Sequence, residues 1–304
     1  MSKKQITKKE ERISLKIDYA FKRIFGKNGN ESMLKDLIEA ILKIKIQKLE
    51  IQNPEIPKNM KNAKIGTLDV KVQINDESII DIEMQVHNQY NIDKRSILYL
   101  SKLYSDQLKE GDSYIGAKRA ISINILDFNY YKRNTYHSKA RMKFDEIEPE
   151  KYVDMGYSEE EEIATEGIEM HFIELPKFRA QNPNVDTKIE QWLWLINGEE
   201  EKIKMAEEKN EEIKKAREEL ERLGQSKEER ELYELRLKAI RDEKNIMLTG
   251  IQRGREEGIK EGIKEGIKRG EHKKNIEIAK KLLKRGLSKN EVLEITGLKE
   301  EELQ

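Results

Sequence analysis

Two short runs carry the residues best placed to do chemistry. In LDVKVQI (68–74) apolar and polar residues alternate, so Leu68, Val70, Val72 and Ile74 fall on one side of a strand and Asp69, Lys71 and Gln73 on the other. IIDIEMQVH (79–87) does the same, setting Ile80, Ile82, Met84 and Val86 against Asp81, Glu83, Gln85 and His87. The short joint between the runs predicts a β-hairpin. Asp69 and Glu83 share a face only if paired residue numbers add to an even sum. A three-residue loop at 75–77 sets Asp69 directly opposite Glu83; one at 76–78 sets it opposite Gln85, with Glu83 on the diagonal. Cross-strand Cβ atoms lie about 4.5–5.5 Å apart when opposite and about 7–8 Å when diagonal. In either register one hard divalent cation can bridge the two carboxylates. Magnesium suits such a pair, with water and a substrate phosphate filling its other positions. The plain alternative is the wet face of a two-stranded ribbon, because two acids on one face are common in a chain with 39% charged residues.

The composition narrows the choices. The chain has 304 residues, 59 basic and 59 acidic, and 36% apolar content, which is polar for a globular protein but not disordered. That length suits about two domains. With no cysteine, a disulfide scaffold, a thiolate zinc site and a cysteine nucleophile are excluded. No apolar run approaches the roughly 18 residues of a membrane span, and MSKKQITKKEER lacks the apolar core of a signal peptide. A soluble, cytoplasmic protein with no membrane partner is expected. Zero net charge leaves nucleic acid open, since binding depends on where cations cluster. His87, His137 and His171 match no zinc spacing, and neither a Gly-rich phosphate loop nor a Gly-x-Ser-x-Gly elbow is present.

The elements that must position the hairpin follow from periodicity. Ile17, Phe21, Ile24 and Phe25 share a helical face that Gly26 ends, Met33 to Leu42 form a second amphipathic helix, and 48–51 reads as a short strand. Behind the hairpin come a helix over 92–108, an apolar strand AISINILDF (120–128), a strand EMHFIEL (169–175) and a helix KIEQWLWLI (188–196). This order predicts a mixed sheet covered by helices, an α/β layer fold. Asp18 and Lys22 stand at i,i+4 on the first helix and project together, as a surface ion pair would. Composition shifts sharply at Glu199, which predicts a 1–198 domain, a charged helical arm over 199–274 broken near Gly224, and a small helical hairpin over 275–304.

The arm carries glycine at 254, 258, 262, 266 and 270. Each costs a helix about 1 kcal/mol relative to alanine. Two readings stand equal: close contact between subunits, giving a homo-oligomer through the C-terminal helices, or a weakly helical tether. In the tip, Ser288 and Glu291 make a capping box behind Gly286, and Ile278, Leu282, Leu283, Leu287, Val292, Leu293, Ile295 and Leu298 close a helical hairpin. The outline is that of a helix-turn-helix. Without a clear basic recognition face, it suits dimerisation or cover for the first domain equally well.

The segments KIDYAFKRIFG (16–26), LDVKVQINDESIIDIEMQ (68–85) and KRSILYLSKLYSDQLKEGDSY (94–114), with AISINILDF and HFIELPKF (171–178), together resemble the Rpn family of recombination-promoting nucleases. These are also described as PD-(D/E)XK nuclease family transposases. The likeness spans about 12–198 and extends in outline to the Gly-repeat tail. It implies a restriction-endonuclease-like PD-(D/E)XK core with an all-helical C-terminal extension. The implied activity is Mg²⁺-dependent DNA endonuclease cleavage in recombination, mobile-element or defence processes, with DNA as partner. Carried over residue by residue, Asp69 is the motif aspartate and Glu83 the acid of the Glu-x-Lys element, with the Met84 carbonyl as third metal ligand. Asp18 would sit on a helix lining the site and orient water, while Lys22 and Arg95 are DNA-contact candidates. Two residues depart from the pattern. Leu68 replaces a proline that only shapes the strand. Gln85 replaces the lysine, and a neutral amide cannot bring positive charge to a developing phosphorane. Lys71, on the Asp69 face, is the nearest candidate to supply it. Gln85 also motivates the rival reading, a decayed nuclease core acting as a DNA-binding or regulatory protein.

Overall fold

The computed structural model describes residues 12–52, 69–88, 90–143 and 165–303. Leu68 and the 144–164 segment lie outside them. Six strands form one mixed sheet in the order β1-β2-β3-β4-β6-β5. They are β1 (Leu49–Ile51), β2 (Val70–Ile74), β3 (Ser78–Gln85), β4 (Arg119–Leu126), β5 (His137–Ala140) and β6 (Ile168–Glu174). The first three run antiparallel, β3, β4 and β6 run parallel, and β5 closes the far edge antiparallel to β6. This is the expected α/β layer fold, with β5 as an addition. HSKA carries no alternation by which to find it.

The hairpin loop is Asn75-Asp76-Glu77. Asn75 and Asp76 adopt left-handed φ of 49° and 58°, a conformation these two residue types tolerate. The Asn75 side chain accepts from the Gln47 and Lys48 amides at 2.8 and 3.2 Å, fixing the loop against the entry to β1. At the other end, α1 (Asp18–Phe25) stops at Gly26. A Cβ there would lie 2.9 Å from the Lys22 carbonyl oxygen and 3.5 Å from Val70. Glycine lets the helix end close down on β2.

One face of the sheet packs on α1, α2 (Glu31–Leu42) and α5 (Lys188–Asn197) through Phe21, Phe25, Leu34, Ile38, Trp192 and the apolar residues of β2, β3 and β4. The other face carries α3 (Ile92–Ser105), whose Ser96 hydroxyl meets Asn124 at 2.8 Å. Short α4 (Leu175–Gln181) follows β6.

The expected boundary at 198 does not hold. The first compact unit runs from Met1 to Ala239 and the second from Ile240 to Gln304. Ile203 and Ala206 of α6 (Glu200–Glu207) and Ile213 and Ala216 of α7 (Glu211–Gln225) belong to the same apolar core as Trp192. Charge density masked this, since each short helix shows core only one or two residues per turn. Buried Asp36 on α2 clasps the addition, accepting from Trp192 Nε1 and Asn210 Nδ2 at 2.9 Å each and from Lys188. Burial alone would raise its pKa, but the hydrogen bonds from Lys188, Asn210 and Trp192 outweigh that and hold it below the usual range. The helix α8 (Lys227–Lys284) begins in this unit, with Glu229 bound to Tyr19 at 2.6 Å and paired with Arg23.

In the second unit the glycine-repeat segment is helical throughout. Nothing lies within 4 Å of a Cβ built at any of the five glycines, and Ile259, Ile263 and Ile267 are exposed. The tip forms with its Ser288–Glu291 capping box on α9 (Lys289–Thr296). Its small core uses Ile276 and Ala279 in place of Ile278, and Ile295 is exposed.

A chain ending at Gly198 should therefore fail to fold. Losing Ile203 and Ile213 alone removes about 1.5–3 kcal/mol each from a total stability of about 5–15 kcal/mol, and Asp36 loses Asn210 as well. Ending at Ala239 should preserve a cooperative melt. Circular dichroism melting of both fragments decides it, and a folded 1–198 fragment would contradict this division.

Candidate active site

The β2–β3 register pairs Val70 with Ile82, Lys71 with Asp81, Val72 with Ile80 and Ile74 with Ser78. The sum is even and the loop is 75–77, the first of the two registers that alternation allowed. One step beyond Val70, Asp69 comes level with Glu83. The Gln52 amide donates to the Lys71 carbonyl at 2.8 Å and the Asp127 amide to that of Gln85 at 2.8 Å. Odd residues therefore bond outward, so Lys71–Asp81 and Asp69–Glu83 fall at the close, non-hydrogen-bonded positions, with Cα atoms about 4.5 Å apart. By the same alternation the Met84 carbonyl turns toward the Asp69 side.

This face is not wet. Asp81, Glu83 and Gln85 are 6%, 7% and 8% exposed, shielded by the start of α3. Arg95 from that helix forms an ion pair with Glu83 and lies over the Tyr99 ring, 5.2 Å from its centre. Burial pushes the Glu83 carboxyl up. Arg95 opposes this most strongly and Gln85 also lowers it, while Asp69 and Asp18 add to the rise. The Gln85 amide nitrogen lies close enough to Glu83 to stabilise its charge, yet makes no hydrogen bond of good geometry. Asp81 is pushed well above the carboxylate range, first by burial, then by Asp69 and Glu83. Its Oδ1 has no hydrogen-bond partner.

Lys22 and Asp18 need correction. They do not form a surface pair. Lys22 is 2% exposed and donates to the Asp69 carbonyl oxygen at 3.1 Å. Burial lowers its pKa, with Asp69 opposing. It is no surface cation for DNA. Asp18 is gripped by Arg236 of α8 at 2.6 to 3.0 Å. Lys71 Nζ stands 3.7 Å from Asp69 Oδ2. Arg95 is also buried against its acid partner instead of lying at the surface.

Asp81 and Arg236 complete the cluster, and neither was singled out from the sequence. Asp81 was legible in the alternation of β3; Arg236 had no signal among the charges of 227–245. Among the described residues, no group of three or more His, Asp or Glu converges as a ready metal cage. The donor chemistry still suits a hard divalent cation: Asp69 and Glu83 stand level, and a third buried carboxylate has an oxygen to offer. His137, His171 and Glu169 also form a chain, with nitrogen–nitrogen and nitrogen–oxygen distances of 2.8 and 2.7 Å. Burial, with His171 adding, drives His137 down to about 4. By register this chain lies on the opposite face of the sheet from Glu83.

A mixed sheet whose antiparallel hairpin presents Asp and Glu-x-Gln at one end defines a PD-(D/E)XK-type nuclease core. The family model described as PD-(D/E)XK nuclease family transposase matches residues 15–250, and that of the Rpn/YhgA-like nuclease family C-terminal HTH domain matches 272–304. The chain belongs to this Rpn family of PD-(D/E)XK nucleases. No curated protein and no solved structure matches it.

The strained carboxyl gives a pH test. Between the ordinary aspartate range and its raised folded value, Asp81 holds more protons folded than unfolded, so stability falls as pH rises through that window. Asp81→Asn, melted in EDTA, should exceed wild type at pH 8 by about 1–2 kcal/mol, or roughly 2–8 °C. The gap should close toward pH 4. Equal melting temperatures at pH 8 would show that the neighbours impose no cost.

Proposed function

We propose that the chain is a metal-dependent DNA endonuclease, hydrolysing phosphodiester bonds with Mg²⁺ in recombination, mobile-element or defence processes. The observation that carries this reading is the even hairpin register, which sets Asp69 and Glu83 level at a close cross-strand position. These two would hold the cation, with the Met84 carbonyl as third ligand and Asp81 beside them. When bound, such an ion activates water and neutralises charge on the scissile phosphate.

The chain's own residues supply the rest. Lys22 and Lys71 bring positive charge to the Asp69 side, where the pattern's lysine is missing. Lys22 is the better placed, because it is buried and fixed while Lys71 is half exposed. Gln85 orients water or a phosphate oxygen from beside Glu83. Arg95, paired with Glu83, would bring a further positive charge for a phosphate. Asp18, clamped by Arg236, orients water from α1. DNA as partner is supported by the match of the C-terminal tip to a helix-turn-helix domain. The exposed isoleucines of α8 favour self-association of the C-terminal helices.

The rival is a nuclease core that has lost catalysis and only binds DNA, and Gln85 favours it. Single-turnover plasmid cleavage with Mg²⁺ or EDTA separates the two. Wild type should cut only with the metal, and Asp69→Asn and Glu83→Gln, both nearly isosteric, should lose on the order of 10²–10³ or more in rate. Lys22→Met should cost more than Lys71→Ala, and both more than Gln85→Ala, with circular dichroism as the folding control. Tight binding without cleavage would establish the rival.

A further inference from the structure

A second basic site lies away from the acids, at the β5 edge. Arg133, Arg141 and Lys143 line a cavity of about 380 Å³ with the rings of Tyr131 and Phe172. Among the described residues, no carboxylate lines it. Lys139 lines it too, but its ammonium sits 3.8 Å from Glu169, and its register partner His171 belongs to the opposite face. Among the described residues, no carboxylate pairs with Arg133 or Arg141. Ser138 Oγ, also in the lining, is buried without a hydrogen-bond partner. Tyr131 packs edge-on against Phe172 with ring centres 5.1 Å apart, and burial, above all, pushes its hydroxyl up to about 12, so the ring stays neutral.

The sheet relates this cavity to the acids. Glu83 pairs with Asn124, Asn124 with Phe172, and Phe172 with Ser138. The four residues form one lateral row on one face. Three strand spacings separate Glu83 from Ser138, about 14 Å, which is roughly four nucleotides at about 3.4 Å of rise per strand. Helix α3 covers the middle of this row, where Ser96 meets Asn124, and its first turn lies between the two sites. There Ile92 packs on Phe172 and Leu126, and Asp93 is held by the Tyr130 hydroxyl at 2.8 Å.

We propose that this cavity is a backbone-phosphate site for the nucleic-acid substrate, gripping a phosphodiester a few nucleotides from the one at Asp69 and Glu83. Arg133, Arg141 and Lys143 provide the charge, the Ser138 hydroxyl a donor, and Tyr131 a face for a base or sugar. The proposal rests on the nuclease reading above. It names the part of the substrate the catalytic face does not hold and gives the sheet's far edge a role in fixing its direction.

The test is binding by the full chain in EDTA, where no cleavage intrudes. Fluorescence anisotropy is read with a short labelled duplex and the matching single strand across a salt series. Replacing Arg133 and Arg141 together by alanine should weaken binding by about tenfold and flatten the slope of log K against log salt by about 1.8 for duplex or about 1.4 for single strand. The double lysine replacement should restore most of the slope. Because the C-terminal helix-turn-helix is unchanged in every variant, its contribution cancels. If the double variant melts early, Arg133→Gln alone, at an exposed position, should still lose about half of that slope change. An unchanged slope in a parent chain that binds would overturn this site and leave the nuclease reading intact. A flattened slope in a chain that never cleaves would uphold the site and overturn catalysis. A parent that neither binds nor cleaves would overturn both.

Discussion

Crowding of like charge governs this protein. Asp18, Asp69, Asp81 and Glu83 gather at one end of a hairpin, mostly out of water, where Asp69 and Glu83 destabilise the ionised form of Asp81, and Asp69 and Asp18 that of Glu83. A cluster of that kind unfolds a small domain unless cations come with it, because an unpaired buried charge costs several kcal/mol. The fold delivers one cation from each of four elements. Lys22 comes from α1, Lys71 from β2, Arg95 from α3 and Arg236 from α8. Gly26, the capped hairpin loop and the docking of α8 on α1 all serve to bring those four groups to one place.

The balance is incomplete at one acid. Asp81 faces Lys71 across the hairpin, but Lys71 is drawn toward Asp69, and Oδ1 of Asp81 is left without a partner. A divalent cation would relieve the repulsion at a stroke. On the proposed reading, the arrangement that weakens the folded chain would favour a metal there, a trade between stability and function common at catalytic sites. Arg95 fits this picture as the positive charge on Glu83.

Much of this was legible in the sequence wherever alternation is strict. The 68–86 run dictated the parity of the register, because a slip by one residue would turn Asp69 and Glu83 toward Phe25 and Leu34, but left two even registers open. The order of elements then made the sheet and its helical cover readable. What stayed hidden follows from physics that leaves no local trace. Asp36 unites α2 with Trp192 and Asn210 across more than 150 residues of chain, and no periodicity announces it. Arg236 sits in a segment where about two residues in three are charged, so nothing marks it as the one that turns inward. Lys22 looked like half of an i,i+4 pair because spacing says nothing about the strand end waiting beneath it. β5 is paired through its backbone, with side chains that give no strand signature.

The central claim is that the hairpin acids are held in mutual repulsion that a divalent cation relieves, and ligand-dependent melting tests it most directly. Melting temperature is measured for wild type, Asp69→Asn and Glu83→Gln across a Mg²⁺ series, with matched ionic strength. Wild type should rise with the logarithm of Mg²⁺ once the site fills, gaining about 2.7 kcal/mol at a hundredfold excess over Kd. Asp69→Asn should begin at or above the wild-type melting temperature and Glu83→Gln below it, because Arg95 loses its partner, and both should then stay flat. A wild type indifferent to Mg²⁺, or variants that rise in parallel with it, would contradict the account.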